Sequence, residues 1–198
     1  MLIYTMNCDE MKREIRKDLP FIRHQIISGI KIAKKEYKKK TFCTDYKMIM
    51  PFVTNNKNKG YILFVSNNLV KHCYHLFFTI TTNNGNKLIS VFIKDETFEI
   101  VCLNVFSAHF FDRYNERLHL NLSNKKVIEH FIYNNNCPLG KELRENQLVV
   151  IFSNGIGLGC YDNKDAYFNT FISNEMTKGK QTDLYNEIKE FKKIYNIE

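Results

Sequence analysis

Five runs rich in β-branched and aromatic residues follow one another in the middle of the chain, at 46–53, 61–65, 69–81, 87–93 and 97–105, with turn signals between them. Such residues suit a pleated, half-buried surface. The middle of the chain is therefore expected to be a sheet, and an all-helical fold is excluded. Asn84-Gly85 stands between two of the runs. Both positions of a type I′ turn tolerate positive φ in such a pair, which marks a hairpin and makes a meander the simplest topology.

The hydrophobic period changes on either side of this block. Residues 9–19 read as a short helix stopped at Pro20, followed by a longer helix over 21–39 in which Ile22, Ile26, Ile30, Ala33 and Tyr37 recur at helical spacing. After the block, Ser107 and Ser123 are suited to cap two helices, the second over 124–133. A loop over 134–140 leads to three more strands at 147–153, 156–161 and 166–172, the first two joined at Asn154-Gly155. A last helix over 182–195 carries Leu184, Ile188, Phe191 and Tyr195 on one face. The expected architecture is α+β, with a basic helical arm over 1–40 and one α+β domain over 41–198.

Charge is unevenly spread. Of the net charge of +8, residues 1–40 carry +6, from 11 Lys and Arg against 5 Asp and Glu. Lys34, Lys35, Lys38, Lys39 and Lys40 crowd the end of the longer helix, where the macrodipole favours cations. A solvated helix end accounts for them, and so does a contact to nucleic-acid phosphates or to an acidic partner protein.

Other chemistries find little support. The six cysteines are scattered singly, with no CxxC and no zinc spacing, so reduced, mostly buried thiols and no metal site are expected. His72 and His75 fall in a strand run at a spacing that sends them to opposite faces. Residues 1–7 are short for a signal peptide, and no apolar run approaches the roughly 18 residues of a membrane span. A soluble, cytoplasmic protein is the expectation. Gly157 and Gly159, in Gly-Ile-Gly-Leu-Gly, imitate a phosphate loop but lie between strands, so close packing or a bulge is the better account.

The segment with most chemical content is 107–118, Ser-Ala-His-Phe-Phe-Asp-Arg-Tyr-Asn-Glu-Arg-Leu, in which His109, Arg113, Glu116 and Arg117 fall within one arc of a helix. Phe110, Phe111, Tyr114 and Leu118 occupy the other side. The chain has 6 Arg against 23 Lys, and the planar Arg fork suits bidentate phosphate contacts. With Ser107 as cap, His109 stands in the first turn, where an anion is attracted and a neutral imidazole favoured. Ordinary surface pairing of Glu and Arg explains the same spacing.

From Phe106 onward a strand, the His-x3-Arg-x2-Glu-Arg helix, a second helix, a hairpin and a strand ending Thr170-Phe-Ile-Ser173 succeed one another. Over 98–175 this resembles the toxin-type domains of the barnase, EndoU, colicin and RelE superfamily of ribonucleases. The resemblance implies cleavage of RNA by acid/base transesterification without a metal or cofactor, in a toxin or mobile-element effector. Its implied site is His109, Arg113, Glu116 and Arg117, with Thr170 or Ser173 from the last strand: His109 as acid or base, Glu116 as its partner or the group orienting Arg113, and both arginines on the phosphate. Strand parity groups Thr170 with Phe168 and Ile172, which equally suits a buried structural role. Also compatible with the sequence are another enzyme, such as a transferase holding a nucleotide with the Arg pair, and a non-catalytic basic accessory protein of a phage or mobile element, the latter being the main alternative. The accessory protein would bind nucleic acid through Lys34, Lys35, Lys38 and Lys39, or block a host protein. An acidic antitoxin is a further possible partner.

Overall fold

The computed structural model describes residues 1–39, 45–67, 73–94, 97–135, 139–144, 146–176, 183 and 186. The fold is α+β. Its described elements are α1 (Cys8–Lys39), β1 (Asp45–Val53), β2 (Lys59–Asn67), β3 (Cys73–Thr82), β4 (Gly85–Lys94), β5 (Glu99–Phe106), α2 (Ala108–Arg117), α3 (Asn124–Asn134), β6 (Leu139–Arg144), β7 (Gln147–Phe152), β8 (Gly155–Asp162) and β9 (Asp165–Ser173). None of the described helices is long and apolar enough to cross a membrane. The chain forms two compact units, residues 1–82 with 87–104 and residues 83–86 with 105–198. Residues 1–40, which read from sequence as an arm, belong to the first unit, where α1 packs on β1, β2 and β3.

In the first unit the strands keep chain order, β1-β2-β3-β4-β5, as a meander requires. β1, β2 and β3 pair antiparallel. β1 is an edge strand and contains Pro51, a residue that edges tolerate because its missing N–H breaks no ladder. Reciprocal bonds start α1: Asn7 Oδ1 accepts from the Glu10 N–H and Glu10 Oε2 from the Asn7 N–H, both at 2.9 Å, which satisfies two otherwise orphaned donors. Met11, Ile15, Leu19, Ile22, Ile26, Gly29 and Ala33 then form one buried stripe. At Gly29 the helix comes so near the sheet that a Cβ would stand 2.0 Å from the Phe64 ring.

That stripe corrects the reading of two helices. Pro20 lies inside α1 and does not end it. A helix-interior proline costs about 3 kcal/mol through a lost hydrogen bond and a clash one turn back. Leu19 and Ile22 are buried on either side of it, and each such side chain contributes roughly 1.5–3 kcal/mol on burial. Continuing the helix keeps both. Pro20 itself is exposed, as is Arg16 one turn earlier, so water can serve the carbonyl left without its donor.

Two buried carboxylates tie α1 to its surroundings. Asp18 accepts from Asn56 at 2.8 Å and Asn58 at 2.6 Å, both in the β1–β2 connection. Glu14 accepts from Lys17 Nζ at 2.7 Å and pairs with the Met1 ammonium. The Lys17 bond first, and the ammonium second, bring the Glu14 carboxyl down to about 2 from its ordinary 4.5. Because the folded value lies below the unfolded one, this stabilisation is complete above the unfolded value and is lost as pH falls toward 2. Both cations are largely exposed, at 60% and 64%, so screening reduces the contribution to about 1 kcal/mol. Glu14→Gln is expected to lower stability by that amount in urea titrations at neutral pH, and its difference from the wild type should vanish in strong acid. A difference independent of pH would assign the loss to packing.

In the second unit the strand order is β9-β8-β7-β6, all antiparallel. α2 packs on β9 and α3 packs on α2. An aromatic cluster fills the space between: Phe106 stacks on Phe168 with ring centroids 4.9 Å apart, Phe110 lies 5.8 Å from Phe171, and Phe131 lies 5.1 Å from Phe152. The glycines of β8 make room for these rings, since a Cβ on Gly157 would stand 2.7 Å from Phe152 and 3.3 Å from Phe110. Gly-Ile-Gly-Leu-Gly is thus a packing device. On β7, Leu148 to Phe152 are buried without alternation. Val149 and Ile151 join Ile156, Leu158 and Ile172 in a cluster of their own.

Both hairpins occur where asparagine-glycine pairs stand, with different turns from those expected. Asn83 and Asn84 separate β3 from β4 without positive φ, and Gly85 alone takes φ 122°. A type I′ turn needs positive φ at both central residues, so this hairpin is not closed by one. Ser153 and Asn154 link β7 to β8, with Phe152 facing Gly155. β6 falls where the sequence reads as a loop and its approach to β7, for it lacks β-branched residues. The helix expected over 182–195 lies outside the described residues, apart from Asp183 and Asn186, both helical. None of the described cysteines forms a disulfide; Cys8 is buried, Cys73 and Cys102 half-buried, and Cys160 exposed, a wetter set than expected.

Candidate nucleic-acid interface

On α2 the cap is as expected: Ser107 is extended and its Oγ accepts from the Phe110 N–H at 3.2 Å. The Ser107 N–H donates to the Phe168 carbonyl at 3.0 Å, which fixes the start of the helix on β9. Phe110, Phe111 and Tyr114 are buried, so the opposite arc faces outward. His109 is exposed on the first turn. Arg113 Nη1 donates to Glu116 Oε2 at 2.7 Å, with side chains 39% and 64% exposed, a pair worth a few tenths of a kcal/mol. Arg117 Nη1 donates to the Phe171 carbonyl, so that guanidinium is in part a strut between α2 and β9.

Thr170 is not brought to this arc. Leu158 faces Thr170 and Gly159 faces Phe168, which leaves Asn169 as an extra residue in β9. Such a bulge shifts strand parity by one. Phe168 and Phe171 therefore both join the aromatic cluster beneath α2. Thr170 goes with Ile172 to the other face, opposite Leu158. Its expected grouping with Phe168 is corrected on that ground. Ser173 is buried, 3% exposed.

Behind α2, Asn135 Nδ2 donates to Tyr114 Oη at 3.3 Å, and Tyr114 Oη lies 3.1 Å from His130 Nδ1. Burial raises the Tyr114 phenol above its ordinary value and lowers His130 below its own. The phenol thus keeps its proton and can donate it to a neutral imidazole. Asn135 Oδ1 also accepts from the Ser153 N–H at 3.2 Å and the Ser153 hydroxyl at 3.1 Å, which makes this a structural network linking α2, α3 and the β7–β8 turn.

On α1, in the other unit, the outward arc is cationic. Arg13, Arg16, Lys17, Arg23, His24, Lys31, Lys34, Lys35, Lys38 and Lys39 are all exposed. At about 100° per residue they spread over an arc of roughly 160° centred nearly opposite the buried stripe, with Arg23 at one margin and Lys39 at the other. Lys17 pairs with Glu14 and Lys39 with Glu36, each at 2.7 Å. Arg13, Arg16, Lys31, Lys34, Lys35 and Lys38 have no carboxylate partner among the described residues. Arg13 and Arg16 escape the sequence reading because ending a helix at Pro20 hides their alignment with the lysines, while Arg23 sits at the margin of the arc, away from the lysine cluster at the helix end. No cluster of metal-ligating side chains occurs among the described residues.

No family model, curated protein or solved structure matches this chain. The functional reading accordingly stands on these two surfaces.

Proposed function

We propose that the protein binds single-stranded nucleic acid along the outward face of α1. The observation that supports this reading is the cation row from Arg13 to Lys38, exposed and facing away from the buried stripe. At 1.5 Å per residue it extends for about 38 Å. Six of its members lack a carboxylate partner among the described residues, so phosphates need not displace an existing ion pair. Binding would release condensed counterions, and log affinity should fall linearly with log salt. Fluorescence anisotropy with a labelled single strand of about 20 nucleotides, from roughly 50 mM to 400 mM salt, tests this. A steep negative slope is expected. Absence of binding at the lowest salt overturns the reading and directs attention to an acidic protein partner.

A second reading, favoured by the exposed His109 beside Arg113 and Glu116, is metal-independent RNA cleavage of the toxin or mobile-element type. His109 would move the proton and Arg113 would hold the phosphate. The Arg117 bond to Phe171 and the outlying position of Thr170 leave it fewer groups than the family pattern supplies. RNA incubated in EDTA should be cut by the wild type and about a hundredfold more slowly by His109→Ala. Intact RNA with both proteins removes this reading.

A further inference from the structure

We infer that a groove beside Pro20 is a single-nucleotide subsite, in which Arg16 and Arg23 hold a phosphate and Phe98 stacks with the adjoining base. The inference rests on the proposal that α1 binds a single strand, and goes beyond it by naming where base and phosphate separate.

The groove has a volume of about 550 Å³ and lies wholly within the first unit. Leu19, Ile27 and Phe98 supply apolar wall, while Arg16, Arg23 and His24 supply the polar rim. This is the composition of a small-ligand site, apolar with a few placed polar groups. Ile27 is 47% exposed among cations, where a purely solvating helix face would carry a polar residue. Arg16 and Arg23 are seven residues apart, two turns of the same face, and bracket the groove along the helix axis. The Arg23 guanidinium lies over the Phe98 ring, 5.6 Å from its centroid. Guanidinium and aromatic planes are the two surfaces on which unpaired bases stack.

Phe98 holds its place at a conformational cost. Its φ is 59°, in the left-handed region that bulky side chains rarely occupy. The turn is closed by its N–H on the Lys94 carbonyl at 2.7 Å. Glycine or asparagine would suit this backbone better. A phenylalanine there sacrifices local stability to put a ring against α1, and such outliers accumulate at ligand sites.

Asparagine at this position separates binding from folding, because Phe98→Asn removes the ring and keeps a residue that accepts positive φ. The probes are labelled oligonucleotides of equal phosphate number, one base-bearing and one abasic, each with ribose and deoxyribose backbones. Wild type is expected to bind the base-bearing probe about tenfold more tightly than the abasic one in at least one backbone. Phe98→Asn should abolish that preference and leave the salt slope unchanged. Arg23→Lys, which preserves charge and loses the planar fork, should reduce the preference severalfold. Equal binding of base-bearing and abasic probes by the wild type overturns the subsite while the cation row stands. Failure to bind either probe at low salt overturns the α1 reading itself, and the subsite with it.

Discussion

Alanine at Gly155 is expected to lower the stability of the second unit by about 3 kcal/mol. A Cβ there would stand 2.1 Å from the Ile172 carbonyl oxygen, 3.0 Å from its carbon and 2.7 Å from the Phe171 ring. The ring could turn, but the carbonyl belongs to β9, which pairs with β8 from Gly155↔Ser173 to Asp162↔Asp165. Relief therefore requires the two strands to part at the end where Phe171 enters the aromatic cluster beneath α2. The unfolding midpoint in urea, followed by far-ultraviolet circular dichroism, measures the cost. Cys160→Ala on the same strand is the control, since Cys160 is exposed and such a change stays within about 0.5 kcal/mol. Were the Gly-Ile-Gly-Leu-Gly run a phosphate loop, Gly155→Ala would impair ligand binding and leave the midpoint near that of the control.

Much of this fold was legible in the residues. The five central runs, the cap at Ser107 and the glycine packing in β8 follow from period, capping and strand context, whereas Ser123 stands at the start of α3 without a side-chain capping bond. The failures have local physical causes. Pro20 reads as a stop because its intrinsic cost is large, yet the buried stripe from Met11 to Ala33 outweighs a single lost hydrogen bond. A bulge at Asn169 leaves no mark that a period-two reading can use, and one extra residue sends Thr170 to the other face. β6, Leu-Gly-Lys-Glu-Leu-Arg, has little strand propensity and exists by pairing with the apolar β7.

The site was less legible than the fold, for reasons that trace to the same residues. The His109, Arg113, Glu116 and Arg117 arc is visible in sequence because it lies within three turns of one helix, but a spacing pattern does not reveal that Arg117 spends a donor on the Phe171 carbonyl. Arg16, Arg23 and Phe98 escape notice for the opposite reason. Two of them lie across an apparent helix break, and the third comes from a turn more than 70 residues away that reads as the start of a strand. Long-range proximity is what single-sequence periodicity cannot supply.

Reversing Lys34, Lys35 and Lys38 together to glutamate is expected to weaken binding of a single strand by about a hundredfold in roughly 0.1 M salt. Each neutralised phosphate contributes about 0.7 to the salt slope for single strands, so three lost contacts remove about 2 from it. Over the decade between about 1 M salt, where the electrostatic gain has faded, and about 0.1 M, a slope change of 2 amounts to two decades in affinity. The fold should tolerate the change, because the three side chains are exposed and have no carboxylate partner among the described residues. Net charge alters as well, and a matched variant separates that effect. Lys125→Glu with Lys126→Glu and Lys164→Glu makes the same total change at exposed positions in the other unit. A local contact predicts a large loss with the α1 variant and a small one with the matched variant. Equal losses would mean that the protein's overall field, and not the α1 row, draws the strand, and the proposed interface would fall.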